Sequence, residues 1–163
     1  MSTPTSIAAA RRAARLAAIQ ALYQMELTGE DAETVSEEFA AFRFGREAEM
    51  LALGEPDEDF FRDLVRGVPH RQEEIDAANT KCLASNWRLS RVDSILRAIL
   101  RCGAFEMIGR ADVPAKVIID EYVELSHAFF SGDEPGFVNA ALDKLAHRKR
   151  AADFGEAPPD DEF

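Results

Sequence analysis

The sequence has little from which to build a catalytic or metal centre. It contains two cysteines, Cys82 and Cys102, three histidines and one tryptophan. The cysteines form neither a close pair nor a metal-ligand spacing, which excludes a disulfide framework and a Cys-x-x-Cys zinc site. Reduced thiols in a cytoplasmic protein are the simplest reading. His70, His127 and His147 have no second ligand at helix spacing, and no His-Glu-x-x-His occurs. A Gly-x-Ser-x-Gly elbow and a phosphate-cradling Gly-rich loop are also missing. No cofactor, no metal and no catalytic role are therefore expected. No run approaches the roughly 18 consecutive apolar residues of a membrane span. The Ala-rich start lacks the continuous apolar segment of a signal peptide. Acid is missing before Glu26, and lysine before Lys81.

What is present suits one domain with a real core: 163 residues, 47% of them hydrophobic. The net charge of −11 taken alone argues against nucleic acid, because phosphate binding needs local positive charge. The distribution says otherwise. Residues 1–25 hold Arg11, Arg12 and Arg15 and no acid, whereas residues 151–163 hold five acids and no base. A basic start, a moderately acidic body and an acidic end point toward nucleic acid.

Helical periodicity dominates and no strand alternation appears, so the fold class is all-α, a compact bundle of about seven helices. Residues 1–6 read as a flexible leader, 7–150 as the helical domain and 151–163 as a disordered acidic tail. The first helix runs from Ile7 to Leu27 and stops at Thr28-Gly29. The second covers Ala32 to Phe42. Leu53-Gly54-Glu55-Pro56 is a turn, and Asp57 caps a third helix that buries Phe60, Phe61, Leu64, Val65 and Val68. The fourth covers Arg71 to Ser85, with Asn86 and Trp87 in the connection. Ser90 is expected to cap the most apolar helix, Arg91 to Ile108. Pro114 opens a sixth, to Phe129. Asp133 or Glu134 caps a seventh, to Lys149.

The first helix carries the functional signal. At 100° per residue, Arg12 and Tyr23 fall within roughly 20° of one face, about 16 Å apart along the axis. Arg15 neighbours Arg12 and Arg11, and Gln20 lies further along. Arginine clamps phosphates and tyrosine offers a face for an unpaired base, a geometry that suits single-stranded RNA. The same residues admit another reading, with Tyr23 in the core and the arginines solvating a helix start. Arg97 and Arg101 stand one turn apart on the fifth helix. The Asp93–Arg97 pair admits a reading as simple helix support; Arg101 is a second candidate for a phosphate or partner contact. Phe137 is either a core anchor or a ring at the loop edge that stacks on a base. Asp120, Glu121 and Glu124 read as a solvated face.

Several segments, in order, resemble the NusB family of bacterial transcription antitermination factors. They are Ala10-Arg11-Arg12 with Gln20-Ala21-Leu22-Tyr23-Gln24; Asp59-Phe60-Phe61-Arg62-Asp63-Leu64-Val65-Arg66-Gly67-Val68; and Ile95-Leu96-Arg97-Ala98-Ile99-Leu100-Arg101 leading to Phe105-Glu106. Asp112-Val113-Pro114 follows, then Val117 to Ser126, and finally Gly136-Phe137-Val138-Asn139 to Leu145. The resemblance implies two three-helix subdomains around a long helix. It implies a heterodimer with NusE, a small-subunit ribosomal protein, that reads boxA RNA within the RNA polymerase antitermination complex during ribosomal RNA synthesis. It places Arg11, Arg12 and Tyr23 at the RNA and adds Arg101 and Phe137. Arg97, Glu106 and Asp133 are the expected partner contacts. A homodimer and a monomer in the absence of the partner both remain open. The basic run departs from the family, being interrupted by Ala13 and Ala14, and implies RNA binding that depends on the partner's surface. The rival readings are a helical protein–protein module without RNA contact and an unrecognised enzyme.

Overall fold

The computed structural model describes residues 6–43, 55–83 and 92–158. Its described residues form seven α-helices and no strand: α1 Ile7–Thr28, α2 Ala32–Glu38, α3 Glu58–His70, α4 Gln72–Cys82, α5 Ser94–Gly109, α6 Ala115–Phe129 and α7 Glu134–Lys149. The chain divides into two compact units, Met1–His70 with α1 to α3 and Arg71–Phe163 with α4 to α7. The Ser90 cap, the Asn86-Trp87 connection, residues 1–5 of the leader and the end of the tail from 159 lie outside the described residues.

In the first unit, α1 starts at Ser6, whose hydroxyl accepts from the Ala9 N–H at 3.1 Å. It stops where Gly29 turns left-handed at φ 77°, a conformation that glycine adopts without a Cβ clash. Leu16, Ile19 and Leu22 are buried along it at three-residue steps. Asp57 caps α3 as expected, accepting from Phe60 N–H at 3.0 Å. The Asp57 N–H donates to the Ala10 carbonyl at 2.9 Å, which ties the start of α3 to α1. Helix α2 is shorter than the periodicity suggests. It passes into a single π turn, Phe39–Arg43, which leaves Phe39 fully buried and stacked on Phe61 with ring centroids 5.6 Å apart.

The second unit packs around α5. The helix opens three residues later than the sequence suggests, because Asp93 is the cap and accepts from Ile95 N–H at 2.9 Å. Gly103 faces Leu142 of α7 so closely that an added Cβ would lie 2.8 Å from a Leu142 methyl carbon. Asn79 reaches from α4 to the Leu100 carbonyl at 3.2 Å.

Residues 151–156 depart from the expectation of disorder. Ala151–Phe154 form a 3₁₀ turn, and Ala151 is buried. The guanidinium of Arg150 donates to the carbonyls of Met107 at 2.8 Å and Arg110 at 2.6 Å, at the end of α5. It also donates to Asp153 at 2.9 Å. The same Asp153 oxygen accepts from the Ala115 N–H at 2.9 Å, the first residue of α6. A cation thus closes the negative end of one helix while an anion closes the positive start of the next. Phe154 stacks on His147 at 4.1 Å. Acidic composition alone suggested disorder; these specific hydrogen bonds order the segment.

Candidate nucleic-acid interface

Helix α1 is unbroken from Ile7 to Thr28, so the axial spacing of Arg12 and Tyr23 holds. Both are half-buried, as are Arg11 and Gln20. The arginines are not equivalent. Arg11 and Arg15 are one helical turn apart, and both guanidinium carbons lie over the ring of Phe60, at 4.8 and 4.9 Å from its centroid. Arg15 is only 2% exposed. Its stem is buried and its head packed on an aromatic face, so the expectation that it grips phosphate from the surface does not hold. Arg15 positions α1 against α3. Sequence spacing missed this because Phe60 is distant in the chain and reads simply as core.

Tyr23 is neither sealed in the core nor wholly exposed. Next to it, the Gln24 amide donates to Glu30 and Glu38 at 3.1 Å each, holding the end of α1 to the following turn and to α2. Glu33 and Arg66 join α2 to α3 in a forked pair. That hydrogen bond holds the Glu33 carboxyl below the usual carboxylate range.

Five expected contacts lie in the second unit: Arg97, Arg101 and Glu106 on α5, and Asp133 and Phe137 at the start of α7. Arg101 forks onto Asp76 of α4 at 2.9 and 3.0 Å, both groups part-buried. Its bidentate face is thus turned to a carboxylate of its own chain, and the expectation of an RNA phosphate there is replaced by a bridge between α4 and α5. Arg97 is 9% exposed and donates to the Val92 carbonyl at 2.8 Å and to Ser94 at 3.3 Å. Glu106 is fully buried and accepts from the Tyr122 hydroxyl of α6. Neither Arg97 nor Glu106 is a surface group, so direct partner contact is corrected to internal bracing. Their position on the most apolar helix could have signalled it. Phe137 is half-buried in the first turn of α7, and Asp133 is exposed at the N-cap. Among the described residues no group of three His, Cys, Asp or Glu side chains is placed to hold a metal. No described helix is long and apolar enough to cross a membrane.

The arrangement offers two arginines, an amide and a partly open tyrosine along one helix. A model of the NusB family matches residues 12–147. The chain belongs to the NusB family. It is accordingly a transcription antitermination factor and not an enzyme. It is 54% identical over 144 residues to the transcription antitermination protein NusB of Maricaulis maris (strain MCS10), a match covering 88% of this chain and 90% of that one. The NusB of Caulobacter vibrioides is 52% identical over 140 residues, covering 86% and 94%. Among solved structures, NusB of T. maritima aligns with a TM-score of 0.74 at 29% identity, over 95% of this chain and 99% of that one. A second, of antitermination factors NusB and NusE in complex with double-stranded RNA, aligns at 0.65 with 25% identity, over 83% and 94%. The clasp built from Arg150 and Asp153 lies just beyond the stretch that the NusB family model matches.

Proposed function

We propose that this NusB-family chain pairs with NusE and that the pair binds boxA-type nascent RNA, supporting ribosomal RNA transcription within the RNA polymerase antitermination complex. The observation that carries the reading is the likeness to a NusB solved with NusE and RNA, over 94% of that NusB chain. The half-buried set on α1 supplies the chemistry. Arg11 and Arg12 hold backbone phosphates, Gln20 hydrogen-bonds, and Tyr23 stacks on a base. Phe137, half-buried at the start of α7, adds a second ring, and Asp133 at the same helix start faces NusE.

Three cations on a chain of net charge −11 make a thin basic surface, and one of them is buried. Strong binding therefore needs the partner's charge. The test is a salt series on boxA RNA with NusE present. Arg11→Ala with Arg12→Ala weakens binding and flattens the slope of log affinity against log salt by about one to two. An unchanged slope with intact folding would remove α1 from the RNA interface. Self-association without NusE is checked in the same preparations by sedimentation.

A further inference from the structure

The buried ring of Phe60 carries two cations, and the two differ in their access to solvent. The guanidinium carbons of Arg11 and Arg15 lie 4.8 and 4.9 Å from its centroid. Arg15 is 2% exposed and Phe60 3%, so that pair belongs to the packing of α1 on α3. Arg11, one turn earlier, is half-buried on the same ring and keeps part of its surface in solvent.

The ring is itself fixed through the backbone. Asp57 donates its N–H to the Ala10 carbonyl at 2.9 Å and accepts the Phe60 N–H on its carboxylate at 3.0 Å. Ala10 immediately precedes Arg11. One residue thus holds both the backbone beside Arg11 and the backbone that carries the ring. An arginine side chain has many rotamers, and ordering such a side chain at an interface costs affinity. A ring face attracts a cation through its quadrupole without occupying the fork of N–H donors that matches a phosphate.

We infer that Phe60 is a positioning residue for RNA binding: too buried to touch the ligand, it holds the Arg11 guanidinium in place before a phosphate arrives. The inference deepens the reading of α1 as an RNA surface and rests on it, since Arg11 is there the phosphate contact.

The test is the affinity for boxA RNA of the full chain with NusE, measured for the wild type, for changes at Phe60, for Arg11→Ala and for each combination. Phe60→Leu removes the ring and keeps apolar bulk. Pentafluorophenylalanine at position 60 keeps the shape of the ring and reverses its quadrupole, so it carries the test if the leucine variant folds poorly. Either change weakens binding about three- to tenfold, the cost of one arginine left to be ordered on binding. In the Arg11→Ala background neither change has a further effect, because the ring then has nothing to position for RNA. If Arg11→Ala weakens binding while both changes at Phe60 leave it intact, the positioning role is overturned and the α1 surface stands. An equal loss with and without Arg11 also overturns it, since Phe60 then acts through the packing of α1 on α3. Unchanged affinity in Arg11→Ala itself overturns the reading of Arg11 as a phosphate contact, and the inference with it.

Discussion

Glu106 shows how much a single side chain's surroundings decide. It was an expected partner contact, but the carboxylate is fully buried and takes the Tyr122 hydroxyl. Glu106→Ala strands that hydroxyl in the core and lowers unfolding stability by about 1–3 kcal/mol, read by urea denaturation. Loss of NusE binding with unchanged stability would return Glu106 to the surface. Arg15 makes the same point from the other side, since its charge lies on Phe60 and not in solvent. The Glu33–Arg66 pair gives a pH signature. Because the folded carboxyl is held below its ordinary value, its contribution is complete above the unfolded value and is lost as pH falls through the folded one. Glu33→Gln therefore narrows the stability gap between neutral and acidic solution; an unchanged acid limb in a pH-dependent melting series would contradict the pairing.

Among the elements, those with strong local signals were legible in the sequence and those made by distant contacts were not. The Gly29 stop and the Asp57 cap follow from residue type next to a periodic run, and the structure has both. The late start of α5 differs because Asp93, two positions upstream of Ile95, accepts the Ile95 N–H and caps the helix there. The candidate site divides in the same way. Arg11, Arg12, Gln20 and Tyr23 share one unbroken helix, so spacing was enough to group them as candidates. Arg101's attachment to Asp76 spans 25 residues and has no local signal. The clasp of Arg150 and Asp153 spans about 40 residues and was invisible to composition. It makes a firm prediction. Arg150→Ala uncaps the end of α5 and releases Asp153 from its partner, costing about 1–3 kcal/mol in thermal unfolding. An unaltered melting temperature would show that the clasp holds nothing. Gly103 is the other contact of this kind. Gly103→Ala drives a methyl against Leu142 and costs about 1–3 kcal/mol, and adding Leu142→Val recovers part of it; a neutral effect would mean that α5 and α7 part freely.

At the scale of the whole molecule, charge and function look opposed: an acidic chain is assigned to RNA. Local arrangement resolves the conflict. The first 25 residues carry no acid, and the C-terminal acids Asp153 and Glu156 engage Ala115, Arg150 and His147. The proposed RNA surface on α1 is a modest basic one, and the proposal has it gain strength from a partner; the chain is a NusB family member similar to a NusB solved with NusE and RNA. The most direct test is the affinity of boxA RNA, and of a scrambled RNA of equal length, for this chain alone, for NusE alone and for the equimolar pair at one physiological salt concentration. The account predicts weak binding by each protein and binding by the pair that is at least tenfold tighter, with boxA preferred over the scrambled sequence by about 1.4 kcal/mol or more. Equal affinity of the pair and NusE alone, for both RNAs, would contradict it.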